Sequence, residues 1–309
     1  MGSKNQKMIT IPPSLKKGDT IGLVCPAGYM PAEKAQACIE TLQSWGYRVK
    51  IGATVGGGSA TYFSGSDEER LADLQQMLDD KEIKAVLCAR GGYGTGRIID
   101  RISFKKFRKR PKWIIGYSDI TVLHSHLYTN YGISSLHSPM AGAFNDGGHS
   151  NEFVFSLRQA LEGKKTSYKA DPHSNNRLGK TTGKLVGGNL ALLAHLTGSA
   201  SDIRTKECIL FLEDVGEYLY NIDRMLHQLK RSGKLSRLAG LIFGGFTEIK
   251  DTERPFGKTV DEILQEIVQE YDYPVCFGFP VSHTDRNYAL KIGVEYSLDV
   301  REDKVLLSE

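Results

Sequence analysis

No Cys-x-x-Cys pair occurs in the sequence, and its five cysteines (25, 38, 88, 208 and 276) are odd in number and scattered. That spacing excludes a disulfide framework and suggests no zinc site, so no metal is expected. Cys25, Cys88, Cys208 and Cys276 sit in or beside apolar runs and read as reduced core residues, a usage that fits the cytoplasm. Missing too is any stretch of about 18 uninterrupted apolar residues, so no membrane span is expected. The amino terminus lacks the apolar core of a secretory signal. It also fails the myristoylation pattern, because Gln6 stands where Ser or Thr is required. MGSKNQK reads as an added leader before a natural start at Met8, and as a flexible end. Charge of one sign is scarce: 40 Lys and Arg against 36 Asp and Glu leave +4 over 309 residues. Nucleic-acid partners normally show a clustered basic face. The longest basic run, KKFRKRPK at 105–112, has no aromatic stacking platform beside it and reads as a solvated helix and loop.

What is present is an ordinary globular composition, 40% hydrophobic and 25% charged, long enough for two domains. The first half alternates short apolar runs with amphipathic segments. TIGLVC, RVKIGATV, IKAVLCAR and KWIIGYS read as strands. PAEKAQACIETLQSWGY, SDEERLADLQQMLDD (capped by Ser66 or Asp67) and a stretch around 96–108 read as helices. Strands and helices at this spacing imply βαβ units on a parallel sheet, with ligands beyond the strands' carboxyl ends. PAG, RGGYG and GYSD all follow strands and should open on one edge. Residues 145–182 are rich in Gly, Asn, Ser and His. The expected division is an α/β domain over 8–165, a linker over 166–182 and a smaller α/β domain over 183–309.

Ser118 ends the strand WIIGYSDIT, where a serine most often caps the following helix. A sharp strand-to-helix turn would also expose its Oγ as a nucleophile, although Ile120 breaks the G-x-S-x-G pattern. Gly91 and Gly92 allow close backbone approach to a ligand and offer unhindered N–H groups. They satisfy neither a Walker A nor a dinucleotide fingerprint, and no cofactor is expected. One reading is a phosphate cradle. The other is an oxyanion hole shared by the amides of Gly92 and Asp119.

A serine nucleophile needs a base and an orienting acid. Among the histidines, His124 and His126 are expected to face sideways or outward, and His195 to be a satisfied core residue. His283 stands out because it follows the apolar VCFGFPVS and precedes a polar loop. Glu213 and Asp214 end the strand CILFLEDV, with Glu217 one turn on. A solvated cap is the plainer reading of these acids.

RGGYG, GYSDIT, GGNLALL, LFLEDVGEYLYNIDRML and GFPVSHTDRN, in this order, resemble the serine LD-carboxypeptidases, or muramoyltetrapeptide carboxypeptidases. That family includes the microcin-immunity peptidases, and the likeness runs from about residue 15 to the end. It implies a flavodoxin-like N-terminal domain, a swivelling β/α C-terminal domain and a homodimer. The family's serine, glutamate and histidine fall on Ser118, Glu213 and His283. Glu213 is taken over Glu217 because the family's acid is the first carboxylate of its LED run. The resemblance implies a cytoplasmic hydrolase that uses no metal and removes terminal D-alanine from murein tetrapeptide during cell-wall recycling. An exopeptidase must read a terminal carboxylate, and Arg90 could do so or form a structural ion pair. Asn189 could bind substrate or cap its helix. Two rivals stand beside this reading: a peptidase of the microcin-immunity type, acting on a peptidyl-nucleotide amide, and a non-catalytic flavodoxin-like binding protein.

Overall fold

The strand C-termini do open on one edge, because the first half folds as a parallel sheet. The computed structural model describes residues 9–309, the side chain of His149 excepted. The stretch MGSKNQK, expected from sequence to be an added leader, and Met8 lie outside the described residues. The first domain runs β1 (Thr20–Val24), α1 (Ala32–Ser44), β2 (Arg48–Ile51), α2 (Asp67–Asp79), β3 (Ile83–Cys88), α3 (Thr95–Ile98), α4 (Lys105–Lys109), β4 (Trp113–Gly116), α5 (Thr121–His126), β5 (Ser135–His137) and α6 (Glu152–Leu161). Strands β2, β1, β3, β4 and β5 lie parallel in that order. Strand β4 is buried along its whole length, as a central parallel strand covered on both faces should be. Helix α2 starts on a capping box in which Ser66 and Glu69 satisfy each other's backbone amides.

The second domain has β6 (Ser167–Ala170), β7 (Gly179–Asn189), α7 (Leu190–Leu196), β8 (Cys208–Val215), α8 (Leu219–Arg231), β9 (Gly240–Thr247), α9 (Val260–Val268), β10 (Val275–Cys276), β11 (Leu290–Ile292), β12 (Glu295–Val300) and β13 (Val305–Ser308). Its sheet has the order β10-β9-β8-β7-β12-β13-β6, parallel from β10 to β7 and antiparallel beyond. Each sheet is packed on both faces, with Leu23 and Val24 on opposite sides of the first and Leu210 and Phe211 on opposite sides of the second. All five cysteines are buried and free, and burial pushes the Cys25 thiol up to about 12. Among the described residues, no helix is long and apolar enough to cross a membrane.

Several sequence expectations give way to tertiary contacts. The stretch 166–182 is not a plain linker: β6 pairs with β13 at the sheet edge, and β7 has begun by Gly179. The chain also returns to the first domain, because β11 pairs antiparallel with β5 and ends the six-stranded sheet. A continuous helix over 96–108 is absent. Gln75 on α2 takes both the amide and the carbonyl of Ser103, at 2.8 and 2.9 Å, and so interrupts it. His124 and His126 are buried rather than outward. His124 bonds Ser135 Oγ and the Gly116 carbonyl, and burial lowers its pKa to about 4. His195, expected in the core, is exposed.

Candidate active site

After β4 the chain turns sharply enough to force Ser118 to φ +61°, the left-handed region that costs a non-glycine residue about 1–2 kcal/mol. Its side chain is half-buried and caps nothing: the turn after it closes through the Ile120 amide on the Tyr117 carbonyl, at 3.2 Å. The capping reading of Ser118 therefore fails. Among the described residues no hydrogen bond engages its Oγ. Strain at a residue that makes no structural bond marks a position set for something other than stability.

The Gly-rich loop lies directly over this turn. A Cβ on Gly91 would stand 2.9 Å from Ser118 Cβ, 3.1 Å from its Oγ and 3.4 Å from the Asp119 amide nitrogen. Only glycine fits there. The amides of Gly92 and Asp119 donate to no acceptor among the described residues, so both are free to receive an oxyanion. Gly92 has φ +96°, and the Tyr62 hydroxyl stands over it. The loop is pinned by two buried side chains. Buried Arg70 donates to the carbonyls of Pro26 (2.6 Å) and Gly94 (3.0 Å) and pairs with Asp67. The Asp119 carboxylate, 1% exposed, accepts the Thr95 amide at 2.8 Å. These roles were not read from the sequence. Arg70 gave the one available signal, since it shares the apolar face of α2 with Leu74, Met77 and Leu78.

The second domain brings Glu213 and His283 together. Glu213, near the end of β8, is fully buried, and its Oε2 lies 2.6 Å from His283 Nδ1. Burial drags the imidazole's pKa down. The hydrogen bond and charge of Glu213, with Asp214 and Glu248 behind them, outweigh it and hold the pKa above the usual 6.5. Nε2 of His283 carries no hydrogen bond among the described residues, and the residue lines a cleft. The ring of Tyr117, next to Ser118 in the chain, packs on His283 with centroids 4.9 Å apart. No hydrogen bond joins Ser118 to His283. Glu217 is elsewhere, accepting from Asn221 on α8 at 2.8 Å.

Asn189 pairs with Glu213 across β7 and β8, and both its polar side-chain atoms are engaged. Oδ1 accepts the Leu192 amide as a helix cap, and Nδ2 donates to Asp214 at 2.8 Å. Its backbone amide donates to Thr121 Oγ1 of the first domain, so the two domains touch beside the site. Of its two readings, capping describes what is observed. Arg90 has no acidic partner among the described residues. It donates to the Tyr29 carbonyl and lines a cleft of about 440 Å³ with Lys34, Tyr117, Asp146, His283 and Asp285. No cluster of three or more His, Cys, Asp or Glu could hold a metal ion among the described residues.

Comparison with known proteins matches both halves of the chain. The family model of the LD-carboxypeptidase N-terminal domain matches residues 21–138, and that of the LD-carboxypeptidase C-terminal domain matches residues 182–298. A protein of Bacillus subtilis described as a probable murein peptide carboxypeptidase is 36% identical, covering 96% of this chain and 93% of its own length. A crystal structure of muramoyltetrapeptide carboxypeptidase from Oxalobacter formigenes superposes with a TM-score of 0.85. It is 31% identical and covers 94% of this chain and 98% of that one. The microcin C7 self-immunity protein MccF of Escherichia coli is 24% identical over 96% of this chain and 94% of its own.

Proposed function

The chain belongs to the LD-carboxypeptidase family, and from that premise we propose that it releases terminal D-alanine from murein tetrapeptides by a Ser118–His283–Glu213 relay. It is a serine-type hydrolase. The bond cut joins the L-centre of diaminopimelate or lysine to D-alanine. The buried Glu213–His283 pair is the observation that carries the reading. A carboxylate fixed on Nδ1 selects the tautomer whose Nε2 can accept a proton.

Ser118 Oγ attacks the penultimate carbonyl carbon while His283 Nε2 takes its proton. Glu213 stabilises the imidazolium, and the amides of Gly92 and Asp119 receive the developing oxyanion. The C–N bond then breaks, and His283 returns the proton to the nitrogen of departing D-alanine. Water, deprotonated by the same imidazole, attacks the Ser118 ester and regenerates the hydroxyl. No step uses a cofactor. The structure makes no Ser118–His283 hydrogen bond, and such bonds commonly tighten only in the substrate complex. Rotation of the Ser118 side chain, or closure of the two domains across the cleft, completes the relay when substrate binds. Arg90, with guanidinium donors to spare, is placed to read the terminal carboxylate, and the Gly91 backbone lies against the substrate. Asn189 acts by holding Asp214 and the end of β7.

Cell-wall recycling in the cytoplasm, by a homodimer, is the setting that suits this substrate. Support for the substrate class comes from the names of the Bacillus subtilis and Oxalobacter formigenes relatives. Three substrates test it: a tetrapeptide ending in D-alanine, its L-alanine epimer and an aminoacyl sulfamoyl adenosine. Only the first should be cleaved, with release of its terminal D-alanine. Cleavage of the nucleotide amide without the tetrapeptide would instead make this a peptidase of the microcin-immunity type. Cleavage of none would overturn both.

A further inference from the structure

The oxyanion donors come from two separate pieces of chain, and their spacing has to be held by something. One amide belongs to the turn at Asp119, the other to the loop Arg90–Thr95. The two pieces meet at two points. Gly91 abuts Ser118 and the Asp119 amide, and Asp119 Oδ2 accepts the Thr95 amide at 2.8 Å. Thr95 opens α3, and its N-cap is Gly94, which has no side chain to cap with. The carboxylate of Asp119 therefore caps that helix from across the site.

We propose that the Asp119 carboxylate is a positioning group for the oxyanion hole, locking the loop that carries the Gly92 amide against the turn that carries its own amide. The inference rests on the hydrolase reading above. One residue then sets both donors, its amide directly and its side chain through Thr95. The arrangement is costly as plain architecture. Asp119 is 1% exposed, and among the described residues its Oδ1 has no hydrogen-bond partner and its Oδ2 accepts only the Thr95 amide. A buried carboxylate oxygen left unpaired opposes folding. Burial accordingly raises the carboxyl's pKa against the pull of Thr95 and of Arg70. Arg70 grips the carbonyl of the neighbouring Gly94, so a buried cation and a buried carboxylate hold successive residues of the loop. Filling this space alone would need no charge.

The test compares Asp119→Ala, Asp119→Ser and Asp119→Asn by kcat, KM, thermal melting and affinity for two ligands. One ligand is the tripeptide product. The other is a peptide boronate, whose tetrahedral adduct with a serine places an oxygen in the hole. A donor misplaced by about 1 Å can cost on the order of 100-fold in rate. Asp119→Ala should therefore lose about 100-fold in kcat and in boronate affinity, with KM and product affinity within about threefold. Asp119→Asn keeps an acceptor for Thr95 and should recover to within about tenfold of wild type. Asp119→Ser keeps a small polar side chain too short to reach Thr95. It should behave like Asp119→Ala, and it carries the test should the alanine variant not fold. The proposal is overturned if Asp119→Ser keeps kcat within about threefold, if Asp119→Asn is as impaired as the shorter variants, or if product and boronate affinities fall together. A wild type that neither releases D-alanine nor binds boronate would instead sink the hydrolase reading.

Discussion

Replacing Glu213 by glutamine keeps the shape of the acid and an oxygen able to accept from His283, and removes one charge. In wild type that charge faces the imidazole at 2.6 Å from Oε2 to Nδ1, in a fully buried position. With charge centres about 4 Å apart and an effective dielectric near 20, the attraction on an imidazolium is on the order of 4 kcal/mol. Since each 1.36 kcal/mol is tenfold in rate, Glu213→Gln should lower kcat by about 10³. The pH profile supplies a second readout. His283 works as a base only when neutral, so wild-type kcat/KM should fall as pH drops through a pKa held above 6.5. Without the Glu213 charge, burial has the larger say, and the acid limb should move to lower pH. Glu217→Gln, whose parent carboxylate is bonded to Asn221, should change kcat less than twofold (~0.4 kcal/mol or less). D-Alanine release in an oxidase-coupled assay across pH 5–9 (roughly the range in which histidine titrates) measures all three. Activity of Glu213→Gln within tenfold of wild type (about 1.4 kcal/mol), or an acid limb that stays in place, would refute the reasoning.

Three further outcomes follow from particular distances. Both Ser118→Ala and Ser118→Gly should abolish turnover, but at φ +61° the glycine variant should be the more stable by about 1 kcal/mol in urea unfolding. Gly91→Ala puts a methyl 2.9 Å from Ser118 Cβ and should lower kcat by about 100-fold. Gly96→Ala, where a Cβ meets nothing within 4 Å, should leave activity intact. Arg90→Met should raise KM about 10- to 100-fold with kcat little changed, the loss expected when a charge-assisted hydrogen bond to a terminal carboxylate goes. A substrate whose C-terminus is amidated should show no such difference between Arg90→Met and wild type.

Local signals carried much of the first domain. Apolar runs such as IKAVLC and WIIG end in the RGGYG loop and the turn at Ser118, and both share the carboxyl edge of a parallel sheet. What sequence could not show was decided by contacts distant along the chain. The helix expected over 96–108 broke because Gln75, 28 residues away, bonds Ser103. β6 was hidden in a connector composition because a four-residue edge strand needs only two buried side chains, here Tyr168 and Ala170. β11 reads as part of the second domain by position, yet it pairs with β5. In the site, the turn at Ser118 was legible from residue types, whereas its left-handed backbone was not. Glu213 and His283 lie 70 residues apart, and motif order rather than chemistry paired them. The clamp of Arg70, Thr95 and the Asp119 carboxylate had no sequence signature beyond an arginine on an apolar helix face.

The central claim is that Ser118 is the nucleophile that frees D-alanine. Its most direct measurement is D-alanine released per enzyme from a purified murein tetrapeptide, by wild type beside Ser118→Ala. Wild type should make many turnovers, and the variant should release D-alanine at least about 10⁴-fold more slowly. A variant that retains turnover would contradict the assignment of Ser118, and a wild type that releases no D-alanine would contradict the proposed reaction.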